Sequence, residues 1–300
     1  MTLHVFGAIV TANGTAANNR GLTEGNTTTL QKLVWNGQVH TTVSAESIRF
    51  ALRRRLGESE PTNRIYDEEN RVNDFQDRSF SRWAEKSKET PFIDDDLLGF
   101  MAAEGAKQEG GKGEAKVRRA VLEVTRAVSL TPWPGDVTFN AASPGATPSA
   151  QKRGSNPVPY ATEMHATRYQ YGFAMTPARL RRPGRAQIAL RGLCALGEVA
   201  GNHGRFLFDF SPDAIVLRLT DDPAPRLLYG FAFDQDGRLS ISEIVRRTRA
   251  GDIAARELVL GGAIVGHLDE NDRTALRGAE LHEGVRAACE AACKYIEAAA

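Results

Sequence analysis

The run Asp94-Asp95-Asp96 gathers three carboxylates in consecutive positions, and carboxylate clusters hold divalent cations in two-metal hydrolases. Consecutive residues do not share a face, so at most two of them can converge on one ion. Their place ahead of the apolar Leu97-Leu98-Gly99-Phe100-Met101 suits a helix N-terminus, where acids complement the dipole. Cys289 and Cys293 stand four apart with no second Cys or His pair at structural-zinc spacing, and read as helix-core thiols. No metal site and no cofactor are expected. A different chemistry is offered by Ser44, Ser47, Arg49 and Arg53. Two hydroxyls at a helix N-terminus, with its free N–H groups, make an anion site, and two arginines four apart extend it by one turn. Polar donors also cluster at Asn18-Asn19-Arg20, Lys152-Arg153 and Asn202-His203-Gly204-Arg205.

These groups need elements to hold them. Leu3 to Ala12 is apolar and stops at Asn13-Gly14, a strand followed by a turn. Ala45, Ile48, Leu52 and Leu56 recur at helical spacing, with Ser44 as N-cap and Gly57 as the stop, giving a helix over 44–56. Residues 57–113 are dense in charge and read as an insertion. Alternation from residue 117 to 130 predicts a long strand, and 163–175 another, with Tyr169, Tyr171 and Phe173 on one side. Those rings are placed in the core, with base stacking as the other use of such a row. Between the two strands lies an excursion, 132–159, with six prolines and no apolar period; such long loops usually carry function. A helix over 185–200, closed by Gly201, precedes strand material at 206–210 and 214–220. The order β, α, β, β, α, β is the ferredoxin-like unit, an α+β fold. Arg226–Phe233 and Ala255–Leu260 add strands, and a last helix is expected near 281–298. Gly230-Phe231-Ala232-Phe233 resembles the middle of an RNA-recognition signature but lacks its flanks, and reads as a strand ending in an Asp234–Gly237 turn.

Composition narrows the classes. Hydrophobic residues at 41% and charged residues at 25% exclude a disordered or fibrous chain. No run approaches the ~18 apolar residues of a membrane span, so no membrane partner is expected. An odd count of three cysteines suits a reducing cytoplasm. The net charge of +1 conceals alternating blocks: +4 over residues 1–56, −7 over 57–104, +9 over 105–205 and −5 over 206–300. Blocks alternating in sign suit head-to-tail assembly, and a local basic surface is what nucleic acid requires.

The sequence resembles the backbone subunits of type I Cascade, the CRISPR-associated Cas seven or DevR group of the RAMP superfamily, close to the I-B kind. The residues that carry the resemblance are Leu22 with the loop before it, Val43 to Arg53, Asp94 to Met101 and Ala200 to Phe206, in the family's order. The resemblance implies one elaborated domain with an RRM-like βαββαβ palm (1–56, 114–130, 163–220), a finger insertion (57–113), a β-hairpin thumb (131–162) and C-terminal additions (221–300). It implies a non-catalytic subunit that polymerises along one CRISPR RNA and holds the guide–target DNA hybrid. Its partners would be further copies of itself and the 5′-handle-binding, large and small subunits. The expected RNA contacts are Asn18, Asn19, Arg20, Ser44, Ser47, Arg49, Arg53, Lys152, Arg153, Arg168, Asn202, His203 and Arg205. Two enzymatic alternatives stand beside it. An endoribonuclease that processes CRISPR RNA would need a general base, and His40, His165 or His203 would supply it; a metal-dependent nuclease would use Asp94 to Asp96.

Overall fold

A computed structural model describes residues 1–16, 23–70, 72–103, 115–146, 151, 154, 156–199 and 208–299. Its largest element is a nine-stranded sheet. In chain order its first strands are β1 (His4–Thr11), β2 (Lys32–Trp35) and β3 (Gln38–Val43), followed by helix α1 (Ala45–Gly57). After the short helix α2 (Ile93–Leu98) come β4 (Leu122–Val124) and β5 (Ala127–Ser129). A hairpin outside the sheet, β6 (Val137–Ala142) and β7 (Val158–Glu163), leads to β8 (Tyr169–Met175), helix α3 (Arg185–Cys194) and β9 (Pro212–Thr220). The chain ends with β10 (Leu258–Gly262), β11 (Glu280–His282) and helix α4 (Val285–Ala298).

The sheet order is β11-β10-β9-β1-β8-β5-β3-β2, with β4 also on β8. The first, second, third and fourth strands of the expected unit therefore stand in the order fourth, first, third, second. All of their pairings are antiparallel.

Both faces of this sheet are covered. Along β1, Val5 and Ile9 point to one side, where they pack with Ile215 and Leu217 of β9 under α1, α3 and α4. Phe6, Ala8 and Val10 point to the other, with Ala214 and Val216, under side chains from the C-terminal third such as Leu227, Phe231 and Ile244. Two-sided burial explains why these central strands read as continuous apolar runs. It also decides the fate of the aromatic row: Tyr169, Tyr171 and Phe173 are at most 1% exposed and pack in the helix-side core. They stack on no base. Gly7 is required opposite them, because a Cβ there would sit 2.1 Å from the Phe173 ring.

Several boundaries differ from the sequence reading. The strand expected over 117–130 is three pieces, because Ala115–Arg118 turns away to pair with Phe100–Ala103. The strand over 163–175 is likewise broken at Met164 and Arg168. Helix α3 ends at Cys194 rather than at 200, and Phe208–Phe210 is irregular core packing rather than strand. Gly57 does not stop α1; it is the helix's last residue, and Glu58 caps it with ordinary right-handed geometry. The hairpin β2–β3 was missed altogether. The Pro-rich excursion, read from its residues as loop, carries the hairpin strands β6 and β7. Helix α2, placed in the insertion, belongs to the core: Ile93, Leu97 and Leu98 are buried with α1 and α3.

Candidate nucleic-acid interface

Helix α1 starts where the sequence put it. Ser44 adopts extended backbone and its hydroxyl accepts from the Ser47 N–H at 3.2 Å, while the two hydroxyls share a 3.1 Å bond. The cap works, but it uses the groups proposed for an anion. Ser44 is 1% exposed, so its oxygen is a structural acceptor and not a phosphate contact.

Arg49 and Arg53 are also turned inward. Arg49 donates to the Leu98 carbonyl at 2.6 Å, closing the C-terminal end of α2, and its Nε is buried without a partner. Arg53 donates to Asp94 at 3.0 Å. Burial pulls both guanidinium groups below their usual pKa, with Asp94 opposing the shift at Arg53. The expected basic track thus runs along the wrong side of these two side chains.

The acidic run is the reason. Asp94 accepts from Arg53 and from the backbone N–H groups of Asn63 and Arg64 at 2.6 and 3.0 Å. Asp95 accepts from the Asn63 amide at 3.0 Å. Asp96 accepts from the Arg181 and Arg182 N–H groups and from Arg118 and Arg185. Arg185, 1% exposed, also reaches Glu60 and the Pro91 carbonyl. Asp94 and Asp95 share Asn63 as a donor while Asp96 faces the arginines, so the three do not converge. Among the described residues no group of His, Cys, Asp and Glu is arranged to hold a metal. Burial, with Asp94 beside it, pushes Asp95 up to about 7. Gly99 ends α2 at φ +67°, where any Cβ would strike the Arg118 carbonyl at 2.3 Å. The Asp-Asp-Asp-Leu-Leu-Gly signature is therefore a joint between α1, α3 and the insertion.

The outward surface beside α1 combines Arg53 and the acids Glu58 and Glu68 with residues that the sequence did not single out. Arg54, on α1, and Arg64, Tyr66 and Asn73, on the hairpin Arg64–Asp67/Val72–Phe75, line a groove of about 550 Å³ with Phe50. Tyr66 meets Phe50 edge-on at 5.7 Å, and the Arg64 guanidinium lies 4.9 Å over Phe75. Flat rings beside exposed guanidinium groups bind bases and phosphates without regard to sequence. The signal was present in Arg53-Arg54-Arg55, but only the helix phase shows which arginine is free.

A second candidate surface is the β6–β7 hairpin. Val137, Phe139 and Ala141 alternate outward along β6, and Phe139 is 84% exposed. Its root is well tied. Lys32 bonds Glu163 and lies 4.0 Å over the Trp133 ring, Glu163 also accepts from the Leu30 N–H, and Trp133 donates to the Met164 carbonyl. His165 shares hydrogen bonds with Thr41 and Thr131, and His40 with the Ser129 carbonyl. Burial, with His40 nearby, pulls His165 down to about 4. His40 and His165 are 6% and 2% exposed, inside this network rather than at a surface where a ribose could reach them. Arg168 donates to the Thr11 carbonyl and to Asp213, bracing β1 against β9. Asn18, Asn19, Arg20, Lys152, Arg153, Asn202, His203 and Arg205 lie outside the described residues.

Residues 6–230 match the family described as CRISPR-associated negative auto-regulator DevR/Csa2. A CRISPR-associated protein Cas7/Cst2/DevR of Myxococcus xanthus (strain DK1622) is 70% identical over 298 residues, covering 99% of each chain. Two solved structures share the fold. One, titled CRISPR RNA-guided surveillance complex, has a TM-score of 0.58 at 16% identity over 98% of this chain and 99% of its own. The other, titled CRISPR RNA-guided surveillance complex, pre-nicking, has 0.57 at 12% over 98% and 100%. With a sheet closed on both faces, a tied hairpin and a family match across three quarters of its length, this chain belongs to the Cas7/Cst2/DevR family of CRISPR-associated proteins.

Proposed function

We propose that the protein is a non-catalytic, CRISPR RNA-binding backbone subunit of a Cascade-type surveillance complex. Copies polymerise head to tail along one guide and hold its hybrid with the target DNA strand. The 5′-handle-binding, large and small subunits complete the assembly. In this reading the β4/β5, β1, β8 and β9 strands with α1 and α3 form an RRM-like palm, residues 57–113 with α2 removed the finger, and 131–162 the thumb. The observation that carries it is the β6–β7 hairpin, which stands outside the closed sheet and holds the Phe139 ring 84% exposed. Phe139 is placed to wedge beside a base step, and Arg54 and Arg64 to meet phosphate, contacts that accept any guide sequence.

Co-expression with a CRISPR array and purification of this chain tests the reading. One short RNA of uniform length with several protein copies supports it, and an RNA-free monomer refutes it. Repeat RNA should remain intact with the protein, with and without Mg²⁺. The inward use of Asp94 to Asp96 and the burial of His40 and His165 support that expectation. Specific cuts lost in His40→Ala would favour the endoribonuclease, and cuts lost with EDTA the metal nuclease.

A further inference from the structure

The stretch that leads from β8 into α3 carries Arg179, Arg181, Arg182 and Arg185. Arg185 is buried and bound to Asp96 and Glu60, but the other three are exposed. Their backbone, not their side chains, fixes the stretch. The Arg181 and Arg182 N–H groups donate to Asp96 at 3.0 and 3.3 Å, and the Arg179 carbonyl accepts from Arg118 at 3.0 Å. Trp83 then positions two cations. The Arg181 guanidinium lies 3.9 Å from the centre of its indole and donates to its carbonyl at 2.8 Å. The Arg118 guanidinium lies 4.4 Å from the same ring. Charge is not balanced here. Asp96 answers Arg118, whereas Arg182 meets Glu60 only at 3.8 Å, an acid already bonded to Arg185 at 2.6 Å. Among the described residues Arg179 and Arg181 have no carboxylate partner, and the Arg179 guanidinium has no hydrogen bond.

We propose that Arg179, Arg181 and Arg182 form a phosphate-binding face for double-stranded nucleic acid, separate from the Arg54–Arg64 groove and from the Phe139 hairpin. A guanidinium stacked on a ring is held in place before any partner arrives, with its remaining N–H groups free to fork onto an anion. Three such cations within four residues repel one another unless anions come between them. A duplex supplies anions at the density required, one phosphate per ~1.7 Å of its axis. The choice of duplex over single strand rests on the ring. Guanidinium groups already lie over Trp83, so it offers no platform to a base, and the contacts left are to the backbone and blind to sequence. The Arg54–Arg64 groove differs: there Phe50 and Tyr66 stand beside the cations, the composition that suits unpaired bases. This face needs neither a guide nor a second copy of the chain.

The test uses the full-length protein as purified and a short blunt DNA duplex of arbitrary sequence, with fluorescence anisotropy read across a salt series. The parent should bind the duplex more tightly than either separated strand. Arg179→Ala/Arg181→Ala/Arg182→Ala should lower the slope of log affinity against log salt by about 2 to 3, one phosphate contact for each arginine. Arg179→Glu covers the case in which the triple variant unfolds, since that guanidinium holds nothing in the fold; alone it should lower the slope by about 1. Any RNA recovered with the protein should keep its yield and length in both variants. Unchanged duplex binding in Arg179→Glu would overturn the proposal. An equal loss on single strands would overturn the choice of duplex, and loss of the recovered RNA would move these arginines to the guide. Loss of self-association with duplex binding intact would make the face a protein contact instead. A chain that recovers no RNA at all refutes the guide-binding reading and leaves this measurement standing.

Discussion

The joint around Asp94 to Asp96 and the β6–β7 hairpin invert the usual placement of polar and apolar groups. In the joint, charged side chains are buried and each finds a partner: Asp96 is 0% exposed and Arg185 1%. In the hairpin, an aromatic ring stands in solvent. The first arrangement costs desolvation and is tolerable only when every carboxylate oxygen is answered. The second leaves apolar surface exposed, which a folded protein retains where something else will cover it. The difference teaches that in this chain acids and arginines in a row mark architecture, while an apolar ring can be left at the surface.

Breaking the joint should have the largest effect. Asp96→Ala removes one carboxylate from Arg185 and Arg118 and leaves the first to Glu60 and Pro91 and the second to the Arg179 carbonyl, and removing one partner of a buried pair typically costs ~3–5 kcal/mol. Urea unfolding should show it, and a loss under ~1 kcal/mol would return Asp96 to the class of ordinary surface acids. Arg49→Ala/Arg53→Ala should likewise lower stability as well as any RNA affinity, since these arginines hold Leu98 and Asp94.

The two regions should also respond to pH in opposite senses. His165 stays neutral in the fold down to about 4, while the unfolded chain protonates it near 6.5. Between those values the unfolded state holds more protons, so this histidine makes stability fall as pH falls, by about 1.4 kcal/mol per unit. Asp95 keeps its proton in the fold up to about 7 against 3.8 when unfolded, so in that window it makes stability fall as pH rises. The slopes oppose each other from about 4 to 6.5. Denaturation of His165→Asn and Asp95→Asn across pH 4–8 should separate them, the first gaining on the parent toward acid and the second toward neutrality. Parallel curves would mean that neither group is held as described.

Phe139→Ala should leave stability within ~0.5 kcal/mol and weaken binding of an RNA–DNA hybrid by ~1–3 kcal/mol, the range for one stacked base. A fold that melts earlier with binding intact would make the ring structural. The smallest expected change is for Arg54→Ala/Arg64→Ala, which should weaken binding alike for unrelated guides and reduce the salt slope by about 1 to 2. Loss confined to one guide sequence would point to base readout instead.

The order of strands and helices in the central sheet was legible because β1 and β9 are unbroken apolar runs and α1 carries a clear helical period. Pieces that depend on a distant partner were not: Ala115–Arg118 continues the alternation of the strand after it, yet its hydrogen bonds go to Phe100–Ala103. The β2–β3 hairpin hid behind a polar Asn36-Gly37 turn that the reading passed over, although Asn-Gly between alternating residues is a strong hairpin signal. At the candidate site the residue types were right and their orientation was not. Arg53 and Arg54 are neighbours in the chain and both border the groove, but helical geometry turns the Arg53 guanidinium onto Asp94 and leaves Arg54 exposed. No sequence pattern distinguishes a carboxylate that awaits a cation from one already holding an arginine.

The tethering at the hairpin's root has a mechanical consequence. An ion pair, a cation resting on Trp133, an indole hydrogen bond and the His165 contacts clamp the root of β6 and β7, and farther along β7 pairs with Thr27–Thr28 while the Asn26 amide donates to the Pro159 carbonyl. Phe139 therefore stands on a braced stretch of the hairpin, opposite Ala161, which Thr27 holds from the other side. A load at Phe139 reaches the hairpin's root beside His165, whose ring bonds Thr41 of β3, and β3 runs directly into the Ser44 cap of α1. Whatever presses on the ring should be felt first at the start of that helix, as slowed amide exchange at Ser47 and Ile48, before any distant part of the molecule responds.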